Sequence, residues 1–128
     1  MTAMKETQDL KAQMIATLLP VNDYLKRLVD GCGRISRNFR EGEKERGQAL
    51  LADFLEGIAW VSEALELSQP VLRDHKALID LGRLNQALGP AIDALENRDY
   101  GLTGDVFEYE VRPVLKSWTL ELSKIPTA

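Results

Sequence analysis

Arg34, Arg37, Arg40, Lys44 and Arg46 stand close together in one short stretch of the chain. Arginines at three-residue steps share one side of a helix. A basic stripe of that kind is the usual footprint of phosphate contact. The wider segment Lys26 to Arg46 holds seven basic and four acidic residues, a surplus of +3 in a chain of formal net charge −4. No aromatic series accompanies the arginines for base stacking. The favoured reading is therefore a polar face balanced by acidic neighbouring helices, with RNA contact at these five cations as the alternative.

Metal and nucleophilic chemistry find little to work with. A di-iron bundle needs two Glu-x-x-His pairs and two further glutamates, and His75 is the only histidine. Structural zinc needs clustered Cys and His ligands, yet the single cysteine, Cys32, is 43 residues from His75. Glu41, Glu43 and Glu45 read as a solvated loop; Asp105, Glu108 and Glu110 read as a helix start, where negative charge is favoured. Cys32 falls on an apolar stripe and is expected to be a buried, inert thiol. There is no G-x-S-x-G, P-loop or G-x-G-x-x-G. The sequence predicts no catalytic residue, no metal, no cofactor and no enzymatic activity.

Trp60 and Leu67 suggest a different use. They lie seven residues apart, two turns along one side of a helix, outside its main apolar stripe. Asp53, Glu56 and Glu63 fall beside them and would rim the apolar spot. Tryptophan often anchors interfaces, so Trp60, Leu67, Glu56 and Glu63 are the expected interaction surface, with a second copy of the chain as the expected partner. The alternative is a helix buried on two sides within its own bundle.

Four amphipathic elements would hold these residues. The central one is Leu50–Leu72, where Leu51, Phe54, Ile58, Val61, Leu65 and Leu72 alternate at three and four, with only Ser68 missing. Gly57 and Ala64 lie beside that stripe, where small residues admit a neighbouring helix. Its helix is expected from about Glu45 to Ser68, with Pro70 ending it or bending its last turn. Before it, Met14, Leu18, Val21, Leu25, Leu28, Cys32, Ile35 and Phe39 keep one phase. That phase predicts a single helix bent at Pro20, the alternative being a new helix that begins there. Gly42 is the expected C-terminal cap, and the short link after it implies antiparallel neighbours. Asp74 is the expected N-cap of the third helix, with Leu81, Leu84, Leu88, Ala91 and Leu95 as its stripe and Gly89-Pro90 bending or breaking it. Asp105 and Glu108 form the expected capping box of a last helix carrying Phe107, Val111, Val114, Trp118, Leu122 and Ile125, with Pro113 inside.

The expectation is thus an all-α, antiparallel four-helix bundle with proline-kinked helices, one domain over 1–128. The length suits one core. No apolar run reaches the roughly 20 residues of a membrane span. The first residues are polar with both charge signs, unlike a secretory signal. One cysteine excludes an internal disulfide framework, and a reducing cytoplasm is the expected compartment.

Two resemblances accompany this reading. Asp99-Tyr100, Asp105, Glu108-Tyr109-Glu110, Pro113 and Trp118 resemble the C-terminal part of small uncharacterised bacterial helical-bundle proteins, which bring no assigned activity. Arg34-Ile35-Ser36, Asn38, Glu41-Gly42, Arg46 and Phe54-Leu55 resemble, more weakly, the four-helix family associated with inserted segments of 23S ribosomal RNA. Ser36 and Asn38 stand one residue closer here than in that family's pattern. This second likeness implies the architecture and, as the alternative function, association with RNA or the ribosome.

Overall fold

The computed structural model describes residues 2–126. It is all-helical, with no strand among the described residues. α1 covers Thr2–Arg40, α2 Lys44–Leu67, α3 Gln69–Asp74, α4 Leu81–Glu96 and α5 Tyr100–Val106. A π-helical turn, Phe107–Val111, runs from α5 straight into α6, Arg112–Leu122, so the three form one rod. Among the described residues, no helix is long and apolar enough to cross a membrane.

The single phase read through Pro20 is realised as one 39-residue helix with Pro20 inside it. Its stripe from Leu18 to Phe39 is buried throughout. At its end the Gly42 N–H donates to the Phe39 carbonyl and the Glu43 N–H reaches back to that of Asn38. This is a Schellman closure, and Gly42 supplies the required left-handed residue at φ +80°. Two further helix ends close the same way without glycine. Lys76, at φ 54°, follows α3, and Arg98, at φ 58°, follows α4.

α2 buries the expected stripe from Leu51 to Leu65, and Ser68 completes it, itself buried at the junction with α3. Pro70 neither bends α2 nor lies in it: it occupies the first turn of α3, where its missing N–H leaves no bond unmade. Along the α1–α2 seam, Phe39 lies on Gly47 and Tyr24 on Gly57. The two helices therefore pass in opposite directions. The small residue at Gly57 leaves room for the Tyr24 ring, which a Cβ there would strike.

The second half departs from the sequence reading in three places. Asp74 is the last residue of α3, and Asp80 caps α4 instead, its carboxylate accepting from the Gly82 N–H at 2.9 Å. α4 runs unbroken through Gly89-Pro90 and turns Leu84, Ala87, Ala91 and Ala94 inward, leaving Leu81, Leu88 and Leu95 half-buried at its flanks. Asp105 and Glu108 form no capping box. The rod starts earlier, at Asp99, whose carboxylate accepts from the Leu102 N–H at 3.1 Å.

Pro113 sits in the first turn after the π-helical segment. Proline cannot donate to the preceding turn and crowds its carbonyl, and the widened turn just before it accommodates both defects. The rod buries Thr103, Phe107, Val111, Leu115, Trp118 and Leu122 against the other helices. Gly104 lets it approach α1 closely: a Cβ there would stand 2.9 Å from the Ser36 carbonyl oxygen.

Candidate functional site

Two surfaces gather the residues singled out in the sequence, one toward each end of α1. The first is an apolar groove of about 480 Å³ between the early turns of α1 and the late turns of α2. Leu10, Gln13, Met14 and Thr17 form one wall; Trp60, Glu63, Ala64, Leu67 and Ser68 form the other. Trp60 is 47% exposed and Leu67 68% exposed. The Trp60 indole meets Tyr24 edge-on, with ring centroids 5.4 Å apart. That contact orients the ring while leaving one side of it to solvent. Glu56 lies in an adjoining recess with Tyr24, Asp53, Gly57 and Trp60. The end of α6 lies beside Ile15, Leu18 and Leu19 of the same part of α1. The Lys11–Asp74 ion pair, 2.7 Å, ties this part of α1 to α3. The Lys11 ammonium, first of all, holds the Asp74 carboxyl below its ordinary range.

The second surface is a polar cleft of about 640 Å³ between the late turns of α1 and the π turn. Asp30, Gly33, Arg34, Ser36, Arg37, Arg40 and Glu41 line it from α1, with Glu108 and Arg112 from the rod. Three of the five sequence-nominated cations, Arg34, Arg37 and Arg40, thus share one cleft; Lys44 and Arg46 do not line it. Lys44 lies over the Tyr100 ring at 5.9 Å. Arg40 is engaged as well. It donates to Asp105 at 2.8 Å and lies 5.5 Å from the centre of the Tyr109 ring. The Asp105 hydrogen bond raises its affinity for the proton further.

Sequence reasoning missed two members of this cleft. Arg112 Nη1 donates to Glu108 at 2.8 Å, but its Nε is buried without a hydrogen-bond partner. Ser36 is 1% exposed, and its hydroxyl is likewise buried and unpartnered. A buried polar group left unpaired costs about 1–3 kcal/mol, so two along one cleft call for an explanation. Ser36 fell beside the basic stripe in sequence and could have been noticed there. Arg112 lies on another helix, and only the fold brings it across.

Cys32 is fully buried, and burial pushes its thiol up to about 12, with the positive charge of Arg112 opposing and the negative charge of Glu108 assisting. A thiol with that proton affinity supplies no nucleophile near neutrality. Among the described residues, no group of three or more His, Cys, Asp or Glu side chains is placed to hold a metal ion.

The chain belongs to the family called domain of unknown function DUF8042, whose profile matches residues 16–121. No curated protein and no solved structure matches it.

Proposed function

We propose that this member of the family is a cytoplasmic protein-binding module that works without covalent chemistry and pairs first with a second copy of itself. Its architecture on this reading is an antiparallel four-helix bundle of α1, α2, α4 and the α5–α6 rod, with α3 as a connecting turn. The carrying observation is the groove beside Trp60. A projecting aromatic ring and an apolar recess lie next to each other on one surface. Two-fold pairing requires that a surface complement itself, and a ridge beside a recess meets that need. Burying half-exposed Trp60 and Leu67 would remove apolar area from water at about 25 cal/mol per Å². The alternative, RNA or ribosome association through Arg34, Arg37, Arg40, Lys44 and Arg46, has less behind it. Arg40 and Lys44 are already engaged, and Asp30, Glu41 and Glu108 line the same cleft.

Light scattering on the parent and on Trp60→Glu tests the proposal. The expected result is a dimer that becomes a monomer with unchanged circular dichroism. Acrylamide quenching adds a local readout, because Trp118 is buried and Trp60 is not. Dilution through the dimer equilibrium should raise the quenchable fraction in the parent only. A parent that stays monomeric at high concentration would overturn self-pairing.

A further inference from the structure

The polar cleft stands apart from the groove and fits a different kind of occupant. We propose that it binds a small molecule bearing a phosphoryl group, held between α1 and the rod by Arg34, Arg37, Arg112 and Ser36. Two observations carry this. Ser36 and Arg112 both line the cleft, and the Ser36 hydroxyl and Arg112 Nε are buried with no hydrogen-bond partner among the described residues. Both can donate, and an oxyanion is the acceptor that satisfies both. Arg34 and Arg37 reach the same cleft from an exposed helix face and take part in no ion pair among the described residues. The guanidinium fork suits tetrahedral phosphoryl oxygens. Gly33 lies beside Arg112: a Cβ there would stand in ordinary contact, 3.7 Å from Arg112 Nη1, so a longer side chain at this position would enter the cleft.

The acidic residues set the size and chemistry of the occupant. Arg40 and Arg112 keep their own carboxylates, Asp105 and Glu108. Asp30 and Glu41 are left along the cleft beside Arg34 and Arg37. A polyanionic strand passing through would meet that negative charge repeatedly. A ligand with one anionic head would not, and its hydroxyl or amino groups would find acceptors in Asp30 and Glu41. The volume of about 640 Å³ lies in the range of small-molecule pockets.

Inorganic phosphate is the probe, titrated into the whole protein at constant ionic strength set with chloride. The readouts are the arginine Nε–Hε and Ser36 amide resonances. Saturable shifts of Arg112 and Ser36 are expected. Arg34→Gln/Arg37→Gln, both at exposed positions, should weaken binding about tenfold or more, the loss of charge-assisted hydrogen bonds. Gly33→Leu should abolish the shifts by filling the cleft without changing charge. Thermal melts of both variants verify that they are folded. Absence of saturation would overturn the proposal, as would shifts equalled by chloride alone or unchanged in both variants. So would tight binding of a single-stranded RNA that phosphate does not displace, since the cleft would then serve a strand.

Discussion

The groove and the cleft share α1 as one wall but hold their second wall in opposite ways. At the groove, α2 offers exposed apolar side chains with little polar anchoring, and one exposed ion pair, Lys11–Asp74, ties the early part of α1 down. At the cleft, the rod is pressed against α1 until Gly104 nearly touches the Ser36 carbonyl, and charged side chains bridge the seam. One surface has apolar area to cover, and the other has polar atoms to satisfy. One long helix thus borders an apolar surface toward one end and a polar one toward the other.

The largest expected effect tests whether the groove is surface at all. Ile58 belongs to the buried stripe of α2, and Ile58→Ala should lower stability by about 2–5 kcal/mol. Trp60→Glu, two residues on, should cost only about 1 kcal/mol, the worth of its aromatic contact with Tyr24. Urea denaturation of both variants settles the ranking. Equal losses would mean that Trp60 belongs to the core.

The close approach at the cleft is tested by Gly104→Ala. The added carbon would meet backbone rather than a movable side-chain end, and overpacking of that kind costs about 1–3 kcal/mol. A neutral result would show that the rod can retreat from α1. Arg98→Gly, at the turn into the rod, should instead stabilise by about 1 kcal/mol, because a left-handed residue with a Cβ is strained. The same denaturation experiment reads both.

The smallest effect separates the two ends by pH. Asp74, held low chiefly by Lys11, and Glu121, held low chiefly by Lys124 and then by the Leu78 N–H, both have folded values below their unfolded ones. Their contribution is complete above the ordinary values of 3.8 and 4.5 and is lost as pH falls through the lowered ones. Acid should therefore loosen the start of α1 before the core melts. Amide exchange near Lys11 at about pH 3, in the parent and in Asp74→Asn, is the measurement. Equal protection in the two at both acid and neutral pH would show that the pair anchors nothing.

α1, α2 and the last stripe were legible because large apolar residues at three-four spacing leave one arrangement that buries them. α4 was misread for the opposite reason. Leu84 and Ala91 of the expected stripe are buried, but Ala87 and Ala94 take the inward places expected of Leu88 and Leu95, which stay at the flanks, so ranking by hydrophobicity pointed these turns about one residue away from the buried face. The two N-caps failed through equivalence. Asp74 and Asp80, or Asp99 and Asp105, are the same residue type near the same boundary, and only tertiary packing selects one. The turn at Lys76 carried no glycine to announce it. In the cleft, the arginine stripe was visible on one helix, but Ser36 reads as an ordinary helical serine until the rod seals it. Arg112 could not be placed without the rod.

The widened turn before Pro113 also sets the phase of everything after it. A helix advances about 100° per residue, so a turn holding one surplus residue rotates the following side chains by roughly that angle relative to a plain helix. On either side of it the rod faces inward, with Thr103 and Gly104 against α1 at its start and Trp118 and Leu122 in the core beyond. The turn is in effect an indel recorded in the backbone. Deleting Glu110 would remove the surplus residue and leave Arg112 and Trp118 facing as they do, whereas straightening the turn with every residue kept would swing both by roughly 100° relative to Thr103, so the cleft and the core beyond it are locked to one reading frame of side chains.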